Sequence, residues 1–363
     1  MKIAFFGSSL VSSYRNGEAT CYRGLLKALA GLGHDIVFYE PDALGRQHRR
    51  DICDPPWAKV VVYEATAAGW RSALAEAGRC CDLLAKATGV GVFDTELEEA
   101  VPELRPAGGL CAFFDMDAPA TLDAVAADPA HHLRHVVPRY DLVLAFGGGA
   151  LAVNAYGRLG ARRCVPLYAA LDPAAHFPVR GRLAYRCDLG FLANRLPERE
   201  ARVDALFVRA AAILRHHSFV LGGAGWHGRI LPVNIACVGH IGTEHHNAFF
   251  GSGLATLDIS RHGMARYGYS PSPRIFEASG AGACLITDAV EGIGEFLEPG
   301  REVLVAACGE EVAETVAHLT PEDARAVAAA ARARILAHHT WERRAREVHA
   351  VLEGVTQNDE AAA

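Results

Sequence analysis

The chain has 363 residues, which at roughly 150 residues per domain is enough for two domains. Hydrophobic residues make up 51% and charged residues 21%, ordinary globular usage that excludes a disordered, collagen-like or coiled-coil protein. Thirty-six Lys and Arg against 42 Asp and Glu leave a net charge of −6, which offers no general attraction to nucleic acid or to an anionic membrane.

In chain order, Lys2–Phe6 is a short apolar run ended by Gly7, and a helical pattern follows over Glu18–Leu32. Gly33-His34 breaks it before a second apolar run, Ile36–Tyr39, and together these make a β-α-β unit. Further strands are expected at Val60–Tyr63, Gly91–Phe93, Leu110–Phe114, Leu142–Phe146 and Cys164–Leu167, with Ala-rich helical stretches between them. That alternation predicts a parallel sheet covered on both faces. The rhythm breaks from Ala169 through Pro173 and Pro178 to Gly181, which reads as a linker. It restarts with strands at Leu189–Leu192, Phe219–Leu221, Ile235–Val238, Ala255–Ile259, Ala283–Thr287 and Val303–Val305. Helices over Pro321–His338 and Trp341–Leu352 close the chain. The expected organisation is a first α/β domain over 1–170 and a second over 171–340. A helix over 341–354 returns to the first domain, and a disordered tail covers 355–363.

No stretch has the 18 or so apolar residues of a membrane span, and MKIAFFGSSL reads as neither signal peptide nor anchor. The ten Cys show no C-x-x-C and no regular spacing, as expected of small buried hydrophobes in a reducing cytoplasm.

The first strand-to-helix turn, Gly7-Ser8-Ser9-Leu10, has one Gly where a dinucleotide site needs three, and no P-loop pattern occurs. Neither a G-x-S-x-G elbow nor a Cys-plus-His signature points to a hydrolase. The segment Tyr269 to Asp288 is richer. Ser272 followed by Pro273 is a helix start, whose unpaired N–H groups and partial positive charge suit an anion, and Arg274 adds a cation. A diphosphate fits there, and Glu277, one turn on, could accept hydrogen bonds from ribose hydroxyls. A capped surface helix with Glu277 solvated or paired to an Arg is the plainer alternative. Asp115 and Asp117 end an apolar strand of the first half, where open α/β sheets bind ligands. They suit a general base or acceptor contact, a helix N-cap, or, with least support, a D-x-D metal site. Gly147–Gly149 and Gly222–Gly225 at strand ends are either close-approach backbone or tight turns. His131, His132 and His135, and His240, His245 and His246, lack supporting ligands for a metal.

These residues resemble the GT-B glycosyltransferases, and within them the branch similar to the spore-maturation protein CgeB. The resemblance rests on Arg274 to Thr287, on Glu295 to Glu302, and on Asn16-Gly17-Glu18 with Gly33-His34-Asp35-Ile36, and spans about residues 1–350. It implies two tandem Rossmann-like, doubly wound domains with a cleft between them. A nucleoside diphosphate sugar, UDP- or GDP-linked, would lie in the second domain and an acceptor nucleophile on the first, with no metal or other cofactor. By the same resemblance Glu277 holds the ribose, Ser272 and Arg274 face the diphosphate, and Asn194-Arg195 supplies a basic phosphate ligand. His240-Ile241 contacts the base, and Asn16-Gly17 lets the N-terminal loop approach the donor. Retaining members of the wider clan carry a Glu eight positions before the ribose-binding Glu. Here that place holds Tyr269, which leaves the stereochemistry of transfer open. A sugar-nucleotide epimerase on the same fold and a non-catalytic nucleotide- or carbohydrate-binding subunit are the rival readings.

Overall fold

The computed structural model describes residues 1–14 and 16–362. The chain divides into two compact units, Met1–Tyr168 with Trp341–Ala363, and Ala169–Thr340.

The first unit holds seven strands: β1 Lys2–Phe6, β2 Asp35–Asp42, β3 Ala58–Glu64, β4 Leu83–Ala87, β5 Leu110–Asp115, β6 Leu142–Phe146 and β7 Cys164–Leu167. All pair in parallel, in the order β3-β2-β1-β4-β5-β6-β7. The central strands β4, β5 and β6 are buried along their whole length, which is why β5 and β6 read as continuous apolar runs rather than alternating ones. The order reverses between β1 and β4, and such a switch point opens a crevice outside the carboxyl ends of the strands.

One expected strand is displaced. Residues 91–93 form a turn, with Gly91 at φ 95° and Phe93 at φ 55° leading into the helix Asp94–Ala100. The fourth strand lies earlier, at Leu83–Ala87, where Lys86 interrupts the apolar run. Lys86 is nevertheless fully buried, with its ammonium 2.8 Å from Asp94 and 3.4 Å from Glu98. A buried charge persists only when paired, and these carboxylates let a strand carry a lysine through the core.

The second unit holds β8 Cys187–Leu192, β9 Phe219–Gly222, β10 Ile235–Gly239, β11 Gly253–Asp258, β12 Leu285–Asp288 and β13 Leu304–Ala306. These are again all parallel, in the order β10-β9-β8-β11-β12-β13. Its core gathers Leu189, Phe191, Phe207, Phe219, Leu221 and Leu257 with the helices that cover them. The unit begins and ends side by side: Leu171 donates its N–H to the carbonyl of His339 at 2.9 Å. The final helix, Trp341–Ala362, then packs within the first unit against the helix Ala19–Gly31, where the indole of Trp341 covers Gly24. It takes in the segment expected as a tail as far as residue 362, and residue 363 lies outside the described residues.

Candidate functional site

In the second unit the strand ends gather a charged cluster around the start of one helix. β11 and β12 end in Asp258 and Asp288, each only 1% exposed. The helix Pro273–Gly280 begins beside them with Ser272 at the N-cap and Pro273 in the first turn, as the Ser-Pro pair leads one to expect. The cap itself is not formed. Ser272 Oγ donates to Asp258 Oδ1 at 2.8 Å instead of accepting from a helix N–H, and Arg274 Nε donates to the same oxygen at 2.9 Å.

A second guanidinium joins them from the helix Pro197–Val203, which follows β8. Arg199 is buried and donates through Nη2 to the carbonyl of Asn194 at 2.8 Å. Its Nε is buried without a partner, as is Asp258 Oδ2. Burial, followed by the charge of Arg274, lowers the Arg199 pKa to about 10, while Asp258 works the other way. Arg202 of the same helix pairs with Asp288, whose carboxyl burial and Asp258 push up, against the pull of Arg202 and of the Ser260 N–H. Such a set of cations at a helix N-terminus favours an anion, and the unpaired buried donor has hydrogen-bonding capacity to offer it.

Glu277 lies one turn further along the same helix and is buried. His176 Nε2 stands 3.9 Å from Glu277 Oε1, and Asn247 Oδ1 holds the other ring nitrogen of His176 at 3.2 Å. Burial lowers the pKa of nearby His246, against the field of Glu277. A carboxylate with imidazoles beside it accepts hydrogen bonds from a diol without needing a cation of its own.

The remaining expected residues of this unit divide. Asn194 accepts the Ala224 N–H at 2.9 Å and so ties the loop after β8 to the loop after β9. The expected phosphate ligand, Arg195, is instead turned to Glu200, which it grips through Nε at 2.9 Å and Nη2 at 2.8 Å on the exposed surface. Arg199, four residues on, is the basic group that reaches the cluster. His240 is exposed beyond β10. Ile241 is buried, with its side chain packed at Gly222, so only its backbone faces the loop, and its carbonyl stands 3.3 Å from His246 Nε2. Tyr269 holds a left-handed backbone at φ 45°, with its N–H on the carbonyl of Glu291 at 2.7 Å and its ring against Gly292. A small depression lined by Ser260, Ser270, Pro271, Ile275, Thr287 and Glu291 opens next to it.

In the first unit, Asp115 ends β5 fully buried. Tyr156 and Thr121 hydroxyls donate to it, the latter at 2.7 Å, with the Asp117 N–H at 3.2 Å and Thr88 Oγ1 at 3.4 Å. Burial raises its pKa to about 6, and these donors engage both of its oxygens. Asp117 is half-buried at the start of the helix Ala118–Ala127, and its carbonyl accepts the Thr121 N–H. Asn16 is buried as well. Its amide donates to the Ser9 and Ser12 carbonyls at 2.9 and 3.0 Å, and its oxygen accepts from Ser8 at 2.8 Å, so it folds the loop after β1 and does not reach outward. Gly17 is exposed.

Sequence reasoning passed over the next residue. Glu18 stands at the N-cap of Ala19–Gly31 with its carboxylate against Gly89, so it joins the loops after β1 and β4 at the switch point. It accepts from Tyr22 Oη at 2.7 Å. Burial raises its pKa to about 7; Tyr22 and Lys86 lower it and Asp94 and Asp117 raise it. A carboxyl that exchanges its proton near neutrality is what acid–base chemistry uses. Among the described residues no group of three or more His, Cys, Asp and Glu is placed to hold a metal ion, and His132 is paired with Glu98 at 2.6 Å.

Residues 199–350 match the family model described as glycosyl transferase-like. No curated protein matches the sequence significantly. Among solved structures, a sucrose-phosphate synthase from Thermosynechococcus elongatus matches over all of both chains, with 15% identity and a TM-score of 0.71. HepE from Anabaena, in complex with UDP-glucose, matches over 98% of this chain and 100% of its own, with 13% identity and a TM-score of 0.68. AviGT4, a glycosyltransferase involved in avilamycin A biosynthesis, matches over 99% and 98%, with 16% identity and a TM-score of 0.63. At these identities the likeness shows the fold, and it is the GT-B fold expected from the sequence.

Proposed function

We propose that the chain is a glycosyltransferase that moves a sugar from a nucleoside diphosphate sugar to an acceptor nucleophile. The observation that carries this reading is the uncapped start of the helix Pro273–Gly280, with Arg274 and buried Arg199 at its mouth and Glu277 one turn behind. The glycosyl transferase-like match over residues 199–350 covers all of these. As the glycosidic bond breaks, charge develops on the departing diphosphate, and fixed guanidinium groups with helix amides stabilise it where water is excluded. In this reading the positive charge comes from the protein, and no metal ion is assigned. Glu277 takes the ribose hydroxyls. The UDP-glucose and UDP of the HepE complexes favour uridine over guanosine as the base. Glu18 and Asp117 of the first unit are the carboxylates assigned to the acceptor proton, both oxygens of Asp115 being engaged.

No helix of the described residues is long and apolar enough to cross a membrane. Glu277→Ala tests the donor site. Calorimetry with UDP and with GDP is expected to show a tenfold or greater loss of affinity for whichever nucleotide the unaltered protein binds, with an unchanged far-UV spectrum; equal binding would overturn the reading. The engagement of both Asp115 oxygens, together with the Tyr269 ring held against the loop after β12, favours as second reading a subunit that binds nucleotide sugar without turning it over. Slow release of UDP from UDP-glucose, with water as acceptor, separates the two.

A further inference from the structure

A serine at a helix N-cap ordinarily turns its oxygen onto the second or third helix N–H, which satisfies that donor and closes the helix end. Ser272 stands at that position, with extended backbone at ψ 152° and Pro273 after it, yet its hydroxyl points to Asp258. Asp258 is out of water at the end of β11, and one of its oxygens receives both Ser272 and Arg274 while the other has no partner. A buried carboxylate beside an anion site is unfavourable for the anion by its charge alone. Its contribution therefore lies in where it puts its two donors.

Pro273 carries no N–H, and the Ile275 N–H donates to the Ser272 carbonyl at 3.1 Å, so the Arg274 amide is the one a Ser272 cap would take. We propose that Asp258 is a positioning residue for diphosphate binding: it draws the Ser272 hydroxyl away from the start of the helix, so that the Arg274 amide stays uncapped, and fixes the Arg274 side chain at the same point. This inference rests on the donor site proposed above. Without Asp258, Ser272 is released to cap its own helix. An incoming phosphate oxygen then has to displace a hydroxyl already bonded to the amide it needs, while Arg274 loses its anchor.

The test compares the full chain with Asp258→Ala, Asp258→Asn and the double variant Asp258→Ala with Ser272→Ala, by calorimetry with UDP and GDP, the probe being whichever binds the unaltered protein. Asp258→Ala is expected to lose at least tenfold in affinity. The double variant is expected to recover several-fold of that loss, because no hydroxyl remains to cap the helix. Asp258→Asn, which keeps an acceptor oxygen for Ser272 and Arg274, is expected to bind within twofold of the unaltered protein or more tightly. That pattern cannot come from general destabilisation, since the double variant removes a further group and yet binds better. Full affinity in Asp258→Ala, or a double variant no better than the single one, overturns the inference. If Asp258→Ala does not fold, tenfold weaker binding by Asp258→Asn overturns it, because charge rather than positioning would then be at work. Arg274→Ala and Glu277→Ala separate the two levels. If they lose binding while Asp258→Ala does not, only the role of Asp258 falls; if they too are neutral, or neither nucleotide binds the unaltered chain, the donor site falls with it.

Discussion

Replacing Glu18 by Gln removes an ionisation from the switch point of the first sheet while keeping its shape, and an oxygen remains to accept from Tyr22 Oη, 2.7 Å away. In the unfolded chain the carboxyl ionises near its ordinary 4.5, and in the folded chain at about 7, chiefly because it is buried. Below about pH 4.5 both states hold the proton and burial carries no electrostatic penalty. As the pH rises through 7, the folded state must accept a charge that the unfolded chain already carries in water, so stability is lost across that window. Integrating the difference in bound protons between pH 5 and pH 8 gives a loss of about 2.5 kcal/mol attributable to this one group. The Gln variant does not suffer it. Urea unfolding of both proteins at the two pH values, followed by circular dichroism, should therefore show the variant gaining on the native sequence by about that amount at pH 8 relative to pH 5. Lys86, Asp94, Asp117 and Tyr22, the other groups that act on this carboxyl, are present in both proteins, so what they contribute by themselves largely cancels in the comparison. A stability difference between the two proteins that is the same at pH 5 and pH 8 would refute the assignment of a near-neutral proton to Glu18, and with it the role of that carboxyl toward an acceptor.

Two further outcomes follow from side chains already described. Arg199→Ala should weaken nucleoside diphosphate binding tenfold or more, as loss of a charge-assisted hydrogen bond worth about 1.5–3 kcal/mol implies, whereas Arg195→Ala should leave it within twofold, because Arg195 is engaged with Glu200; calorimetry with UDP distinguishes them. Gly24→Ala places a methyl group in the indole of Trp341, and the overpacking should cost about 1–3 kcal/mol, seen as a lower thermal midpoint together with faster proteolytic release of the C-terminal helix.

The architecture was legible because parallel strands with both faces covered announce themselves as unbroken apolar runs, and twelve of the thirteen observed strands overlap runs marked in the sequence. The exception shows the limit of that signal. Leu83-Leu84-Ala85-Lys86-Ala87 contains a lysine, and only the tertiary pairing of its ammonium with Asp94 and Glu98 makes it a core strand. Periodicity cannot report a partner eight or twelve residues further on. The helix start at Ser272-Pro273 was legible for a local reason, since Pro273 fixes its own φ in the first turn, although the side-chain cap expected of Ser272 is not formed. The choice between Arg195 and Arg199 was not, because it depends on Glu200 capturing the first guanidinium and leaving the second to face the cluster.

The same contrast separates the two carboxylates that end strands in the two units. Asp115 and Asp258 each end a parallel strand at the edge where ligands bind in this class of fold, although in the sequence Asp258 sits inside the run Ala255–Ile259. Their fates differ in the donors that reach them. Asp115 is met by neutral hydroxyls from Thr121, six residues on, and Tyr156, 41 residues on, and these satisfy it in place with no bound ligand. Asp258 is met by Ser272 and Arg274, 14 and 16 residues on, both at the start of a helix on which the Ser272 side chain forms no cap. A carboxylate satisfied by neutral hydroxyls carries no cation to its strand end, while one that fixes a guanidinium at a helix start leaves donors of that guanidinium unspent around it. It is the second arrangement, and not the presence of an acid at a strand end, that marks where an anion is expected to bind.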